Sequence, residues 1–521
     1  MKITQLVIDR ENPFRTDLEI LLDLQVKVED KTSRDIWRKW QEAFNRERVT
    51  ERFFEDYKKV FFAIRNAVKN QGISIRQAHE FSLQLLNRLM FNYFIAKKRW
   101  LGNNPRFVSW FWEEYKRSKR QGKVKPDTFF SEWLQVLFLE AFNNKFIYRS
   151  YFGEEINHIL RMAPYLNGGL FKENELDRTI DVQLNDDLFE QIFNFLNKYN
   201  FTIREDLPLE VEVAVDPEML GYVYESLANV AEEIYDRQDL GIFYTPRVEV
   251  DFMCRRSLVE YLHANIPDVE KDIWYHLLFD ENKTAAEKYL TANNLWGTLE
   301  EKLDALRVID PACGSGAFLV GMLLVLTELY RLVYRHLPGR EIDVFNLKKR
   351  IIQNSLYGVD VMPWAVHSTE LRLWLQLVVE SEMELGELKK NPLLPNFNLK
   401  LRVGDSLVQE LGGVDLRVRG KDMPSEIKGR LTKLAREKEK FYLNDSTCKF
   451  KNPQAMLEEE VRIYRDFIRQ RISQLGQWEK HGTQPSMFET DNGSNGNKRN
   501  RQLEQQKQNA QKEIAQLKDI L

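Results

Sequence analysis

The sequence predicts an α/β protein in which a small parallel sheet is preceded by a large α-helical region and followed by a helical tail. Three observations support this fold class. Residues 302–410 alternate short apolar strands with longer helices, which is typical of right-handed β-α-β units. Residues 34–150 repeat apolar side chains at three- and four-residue steps, as in helices that bury one face. Beyond residue 420, charged residues and glutamine dominate.

A chain of 521 residues exceeds what one hydrophobic core usually serves, so several domains are expected. The composition changes along the chain suggest four regions. These are a mainly α-helical region at 1–230, the α/β region at 236–410, a charged helical insertion at 411–489, and a linker with a terminal helix at 490–521.

Charge and cysteine usage limit the class of protein. The formal net charge is −3, so a nucleic acid would have to be held by a local basic patch. The three cysteines are far apart and form no CxxC pair, which argues against a zinc site and against a disulfide scaffold. The N-terminus has no apolar signal core, and no apolar run is long enough to suggest a membrane span. We therefore expect a cytoplasmic protein without a metal site or a membrane contact.

The α/β region supplies three predicted strands at 305–310, 355–360 and 399–404. The intervening helices are predicted at 316–335 and 364–381. Because the strands of a β-α-β unit run parallel, their carboxyl ends meet at one edge of the sheet, where open α/β sheets bind ligands. Residues that follow each strand are therefore the first candidates for a binding site.

A glycine turn follows the first predicted strand and leads into a helix. Gly314 and Gly316 let the backbone approach a ligand closely, and the helix directs its N-terminal amides at the same point. The spacing differs from the dinucleotide fingerprint, since no third glycine follows at the required distance, so NAD is disfavoured. The alternative is a turn that serves only strand-to-helix packing.

The segment Asp310-Pro311-Ala312-Cys313-Gly314-Ser315-Gly316-Ala317-Phe318-Leu319 resembles the S-adenosylmethionine (SAM) motif of DNA adenine-N6 methyltransferases. The similarity is to the large type IIG restriction-modification and BREX-type phage-defence methylases, and it covers roughly residues 45–410. It implies a Rossmann-like SAM methyltransferase sheet, SAM as cofactor and double-stranded DNA as substrate. In the family the motif surrounds the methionine and the ribose edge, and here its residues are Asp310, Pro311, Ala312, Cys313, Gly314, Ser315 and Gly316. Tyr244, Thr245 and Pro246 match the family segment that folds back over the methionine end.

Two further strand ends carry carboxylates. Asp360 ends the second strand, where a carboxylate can accept the ribose hydroxyl hydrogens. It could also cap the helix that starts near Pro363, and the two roles could coexist. Asp405, followed by Ser406, ends the third strand and looks like the family carboxylate that accepts a hydrogen bond from the cofactor adenine. Met362, Pro363 or Trp364 could provide an apolar wall against the adenine ring.

One family element is missing, so no catalytic residue is assigned. Adenine-N6 methylases carry Asn or Asp, then Pro-Pro and an aromatic, and this clamp holds the flipped base. The sequence contains no two consecutive prolines. Residues 414–418 could form a short fourth strand, but they lead to no clamp. The family places the clamp and a target-recognition domain after the helical insertion.

Half a doubly wound sheet would leave the first or the third strand as an unpaired edge. We therefore expect a second polypeptide that carries the remaining strands and the target-recognition domain. The expected function is DNA adenine-N6 methylation in a restriction-modification or phage-defence system. The alternatives are a non-catalytic SAM-binding or scaffold subunit and a methyltransferase of protein or RNA. The basic segment 116–125 could hold phosphates, but a solvated loop is the favoured interpretation.

Overall fold

A computed structural model gives the fold of the chain. It describes residues 3–5, 8, 14–27, 32–44, 46–166, 169–171, 173–202, 210–212, 215, 219, 221–223, 245–381, 400–408, 410–411, 414–415, 423–442, 447–450, 453–481, 508–512, 514–515 and 517–518. The chain divides into two compact units, Met1–Gly404 and Asp405–Leu521. The predicted regions 1–230 and 236–410 therefore both contribute to the first unit.

The first unit begins with a helical region, as the apolar spacing predicts. Its α-helices are α1 (Arg15–Leu24), α2 (Ser33–Ala43), α3 (Arg46–Lys69), α4 (Ile75–Lys97), α5 (Phe107–Arg120), α6 (Glu154–Met162), α7 (Glu175–Thr179) and α8 (Asp186–Leu196). Two π-helical stretches, Phe129–Leu134 and Val136–Glu140, are followed by short 3-10 turns at Ala141–Asn143 and Gly169–Phe171. Strands β1 (Ile3–Gln5) and β2 (Glu210–Glu212) pair in parallel beside these helices.

Helix α3 shows how the apolar spacing builds this core. Phe53, Tyr57, Phe61, Ile64 and Val68 are all fully buried, as their helical spacing predicts. The ring of Phe53 packs edge-on against that of Tyr199, with centroids 5.0 Å apart, which joins α3 to the end of α8.

Three of the six cations in the basic segment 116–125 form ion pairs within the fold. Lys119 lies 2.6 Å from the carboxylate of Asp186, and Lys116 bonds Glu113 at 2.7 Å. Arg117 pairs with Glu114 at 3.0 Å. These ion pairs favour the interpretation of the segment as a solvated surface.

The α/β part has the strand and helix order that the sequence predicts. Its helices are α9 (Arg247–Asn265), α10 (Lys271–Phe279), α11 (Thr284–Ala292), α12 (Trp296–Ala305), α13 (Ala317–His336), α14 (Val344–Asn354) and α15 (Pro363–Glu380). Strands β3 (Val308–Asp310), β4 (Leu356–Asp360) and β5 (Leu401–Val403) form a parallel sheet in the order β3-β4-β5. Helix α14 and helices α10 to α12 were not among the predicted elements.

Helix α13 is long and apolar enough to cross a membrane by length and composition. Its apolar side chains lie in the core instead, including Leu319, Leu323 and Val333, which are fully buried. Packing against α9 and α14 accounts for the composition of this helix, and it is the one helix of this kind in the described part of the chain. The expectation that no apolar run reaches membrane-spanning length does not hold for this helix by length and composition.

The second unit contains the predicted charged helices. Strands β6 (Glu410–Leu411) and β7 (Val414–Asp415) form a small antiparallel hairpin. The idea that residues 414–418 add a fourth strand to the parallel sheet is therefore wrong, because Val414 pairs with Leu411 across this hairpin. Helices α16 (Ser425–Tyr442) and α17 (Pro453–His481) pack together, and Arg430 bonds Asp466 at 2.8 Å.

Candidate cofactor site

The glycine turn joins the end of β3 to the start of α13. Gly314 and Gly316 have φ angles of +51° and +83°, which L side chains rarely adopt. The Gly316 N–H closes the turn on the Cys313 carbonyl at 2.7 Å. Gly316, the N-cap residue of α13, has no side chain that could cap the helix, and among the described residues the first-turn amides remain available to a ligand.

Asp360 ties the second strand to this turn. Its Oδ2 accepts a 2.9 Å hydrogen bond from the Gly314 N–H, and its Oδ1 accepts one from the Met362 N–H at 2.9 Å. Met362 is the N-cap residue of α15, and Pro363 occupies its first turn. Asp360 therefore bonds the N-cap residue of α15, which agrees in part with the alternative that it caps this helix. Each carboxylate oxygen keeps a second lone pair that a ribose hydroxyl could use.

Two residues of α15 bind the opposite side of the turn. The Thr369 hydroxyl donates to the Gly314 carbonyl at 2.9 Å. The Arg372 guanidinium donates to the Ser315 carbonyl at 2.9 Å and lies 3.3 Å from its hydroxyl. The side chains of Thr369, Arg372 and Ser315 are all buried. The turn is thus hydrogen-bonded through its carbonyls to the helix that follows β4.

Asp310 is the least satisfied carboxylate of the site. One oxygen accepts a 3.2 Å hydrogen bond from the Ala312 N–H, whereas the buried Oδ2 has no hydrogen-bond partner among the described residues. Burial raises the pKa of Asp310 above its ordinary value, and the negative charge of Asp360 adds to this rise. A buried acceptor without a donor is costly, and a cationic or N–H-bearing ligand would relieve that cost.

The motif residues between these carboxylates form the walls of the turn. Cys313 and Ser315 are buried, and burial raises the pKa of the Cys313 thiol to about 12, so it stays a neutral packing group. The Cys313 N–H bonds the Val359 carbonyl at 2.9 Å, which extends the pairing of the strands into the turn. Pro311 borders a cavity beside β3.

The remaining candidate residues are not brought to the turn by any described contact. Thr245 precedes Pro246, which is the N-cap of α9, and neither is hydrogen-bonded to the glycine turn in the part of the chain that the structure describes. Tyr244 lies outside the described residues. Asp405 and Ser406 begin the second unit and are exposed, and the Asp405 carboxylate accepts a 2.8 Å bond from the Leu407 N–H. Their roles toward a cofactor stay predictions.

Sequence reasoning missed Thr369 and Arg372, although a signal was present. Helix α15 is buried along most of its length, yet it carries five polar residues inside the core. They are Ser368, Thr369, Glu370, Arg372 and Gln376. Polar groups in a buried helix need partners, so they are candidates for a supporting role.

A cavity of about 540 Å³ runs beside β3, between this strand and α9. It is bordered by the consecutive residues 306–311 and by Met253, Ser257 and Tyr261. In the described chain β3 pairs only with β4, so the edge that faces this cavity lacks a neighbouring strand. Ile309 on that strand is 65% exposed, and Val248, Phe252 and Met253 on α9 are also exposed.

Comparison with known proteins identifies the region around the turn. Residues 284–407 match the family model "MmeI, DNA-methyltransferase domain". A putative type II restriction enzyme and methyltransferase of Methanocaldococcus jannaschii is 33% identical over 63% of this chain and 27% of its own length. An adenine-specific methyltransferase PglX of Streptomyces coelicolor is 33% identical over 20% of this chain and 8% of its own length.

Two further matches have lower identity. DNA methyltransferase A of Bacillus subtilis is 21% identical over 46% of this chain and 22% of its own length. The structure of the type IIL restriction-modification enzyme MmeI in complex with DNA is 15% identical to this chain. The match covers 68% of this chain and 40% of the MmeI chain, with a TM-score of 0.42. This chain spans only about a quarter of the length of the Methanocaldococcus jannaschii relative.

Proposed function

We propose that this chain binds SAM for a DNA adenine-N6 methyltransferase of a restriction-modification or phage-defence system, on the premise that residues 284–407 match the family model of the MmeI DNA-methyltransferase domain. The observation that carries the proposal is the buried Oδ2 of Asp310, which has no hydrogen-bond partner among the described residues, at the end of the strand that leads through the glycine turn to the N-terminus of α13. An amine can donate a hydrogen bond to the Asp310 oxygen, and a carboxylate can accept hydrogen bonds from the first amides of α13. The methionine part of SAM carries both groups.

The residues of the turn fit this cofactor. Asp310 would accept a hydrogen bond from the methionine amine, and the first amides of α13 would bind the methionine carboxylate. Asp360 would accept the ribose hydroxyls on its remaining lone pairs. Met362 would pack against the adenine, and Asp405 with Ser406 would bind its amine. Tyr244, Thr245 and Pro246 would cover the methionine end.

The bound cofactor would supply an activated methyl group for the exocyclic amine of an adenine flipped out of the duplex in cytoplasmic double-stranded DNA. The contribution of this chain would be to hold the cofactor rigidly, because effective positioning alone accounts for a large part of such rate enhancements. The choice of adenine is supported by the match to a relative named adenine-specific.

We further propose that the base clamp is supplied by polypeptide outside these 521 residues, since the sequence contains no Pro-Pro pair. In the described chain, the edge of β3 away from β4 has no neighbouring strand. An extended strand added there would pair with the backbone N–H and C=O groups of β3 and would cover Ile309. The cavity beside β3 offers the space for it. This polypeptide would carry the target-recognition domain as well.

The proposal is tested with the purified chain and labelled SAM. We expect calorimetry to detect SAM binding, and we expect labelled methyl groups to reach duplex adenine only when the clamp-bearing polypeptide is present. Binding without methyl transfer in the complete system would favour a scaffold role. Absence of SAM binding would refute the proposal, and labelling of protein or RNA instead of DNA would replace its substrate.

A further inference from the structure

We propose that Arg372 is a positioning residue for the cofactor, which holds the glycine turn in its ligand-binding conformation. The inference rests on the proposed SAM-binding function. Arg372 lies on α15, is 3% exposed, and donates from Nη1 to the Ser315 carbonyl at 2.9 Å. It thus acts from behind the turn, on the side away from the amides that meet a ligand.

The guanidinium of Arg372 is buried in a helix that lies mostly in the core, and its burial is not explained by stability alone. Removing a cation from water is costly, and well-packed apolar residues usually serve stability at least as well. Arg372 occupies such a place, and its Nη1 donates to a main-chain carbonyl of the turn. The physical result is a fixed peptide orientation, which stability alone does not require.

Thr369 provides the second bond of this arrangement. Its hydroxyl binds the Gly314 carbonyl at 2.9 Å, one peptide before the carbonyl that Arg372 binds. The N–H and C=O of a trans peptide point in opposite directions. With the Gly314 carbonyl held by α15, the N–H of the same peptide, on Ser315, is directed away from that helix.

Gly221 lies against the turn from another side. A Cβ atom at Gly221 would lie 2.5 Å from Ser315 Oγ and 3.1 Å from Arg372 Nη1. Only a residue without a side chain allows this approach. Ser315 is therefore confined between Gly221 and Arg372, and removal of the guanidinium would leave the turn without support on one side.

Helix α15 is in turn fixed to the N-terminal helical region. The rings of Phe91 on α4 and Trp374 on α15 have centroids 4.4 Å apart. Lys98, directly after α4, donates to the Val379 carbonyl at 2.7 Å and to that of Ser381 at 3.1 Å. The helical region thus supports the helix on which Arg372 and Thr369 stand, and so contributes to the cofactor site without touching the ligand.

The experiment compares the full chain with Arg372→Met, Arg372→Lys and the matched control Gln376→Met. Gln376 is 2% exposed, lies on the same helix and bonds Lys348 at 3.0 Å instead of the turn. Three quantities are measured: the Kd for SAM by calorimetry, the thermal midpoint, and hydrogen exchange of the amides of residues 311–320 without ligand.

We expect Arg372→Met to raise the Kd for SAM about tenfold or more and to accelerate exchange at the turn. Arg372→Lys should restore part of the affinity, because an ammonium can supply one of the bonds. Gln376→Met should lower the thermal midpoint but leave the Kd within about twofold of the parent.

Unchanged SAM affinity and unchanged turn exchange in a folded Arg372→Met variant would overturn the inference. If Arg372→Met does not fold, Arg372→Lys decides by the same two measurements. If the parent chain binds no SAM, the proposed function fails, whereas the exchange comparison still decides whether Arg372 orders the turn.

Discussion

The carboxylate of Asp360 accepts a 2.9 Å hydrogen bond from the backbone N–H of Gly314, although the two residues are 46 positions apart. The bond joins the end of β4 to the turn after β3. One side chain therefore shapes the turn and borders the place where a ribose would lie. A change at Asp360 is expected to affect both the fold and the cofactor.

Replacement Asp360→Asn should lower the free energy of unfolding by about 1–3 kcal/mol, because an amide cannot accept from both the Gly314 and Met362 N–H groups without a donor facing a donor. Chemical denaturation and SAM calorimetry measure the two effects. Asp343→Asn is the control, since the exposed Asp343 caps α14 by accepting from Asn346. Equal SAM binding by Asp360→Asn and the parent would contradict this prediction.

Replacement Asp310→Asn should stabilise the ligand-free chain at neutral pH and weaken SAM binding. The raised pKa of Asp310 means that the ionised side chain is disfavoured in the fold, so its contribution to stability is greatest below the unfolded value of 3.8 and is lost as the pH rises through the folded value. Asparagine avoids this loss and still accepts from Ala312.

Thermal unfolding at several pH values tests this. The stability difference between Asp310→Asn and the parent should be largest at neutral pH and should vanish below the unfolded pKa, provided that both proteins remain folded there. A difference that grows as the pH falls would show that the sign is wrong.

Replacement Gly316→Ala should destabilise the chain more than Gly339→Ala does. Both residues have positive φ angles, of +83° and +75°, so each alanine incurs a similar backbone strain of about 1–3 kcal/mol. At Gly316 the added Cβ would also lie 2.7 Å from Thr369 Cγ2, whereas nothing lies within 4 Å at Gly339. Denaturation midpoints of the two variants isolate the steric part, and only Gly316→Ala should reduce SAM binding.

Replacement Lys98→Met should lower the free energy of unfolding by about 1–3 kcal/mol, because two carbonyls at the end of α15 lose a charged donor. Chemical denaturation measures the change. Lys69→Met is the matched control, as Lys69 is an exposed lysine in the last turn of α3. Comparable stability of the two variants would argue against the support of α15 by Lys98.

Replacement Ile309→Lys should leave folding and SAM binding nearly unchanged, because the side chain is 65% exposed and a lysine on a free edge is tolerated. It should nevertheless impede methyl transfer by the complete system, since the proposed strand would cover this position. Transfer at the rate of the parent would count against strand addition at β3.

The local signals in the α/β region predicted its architecture well. Apolar strands at 305–310, 355–360 and 399–404 correspond to β3, β4 and β5, and parallel pairing follows from the helices between them. Helix α14 was missed because it adds a second helix to the connection between β3 and β4, where one was expected. The possibility that residues 414–418 add a fourth strand to the main sheet is wrong because short apolar runs do not specify their partner, and Val414 pairs with Leu411 instead.

By itself the sequence determined the glycine turn, the carboxylates at the strand ends and the absence of a Pro-Pro clamp, because local sterics and residue chemistry are encoded within a few neighbouring positions. Only the tertiary structure decided that Asp360 bonds Gly314, that Arg372 bonds a carbonyl 57 residues earlier, and that one Asp310 oxygen has no partner among the described residues. These relationships depend on how distant helices and strands pack, since each buried polar group takes the partner that packing brings within reach.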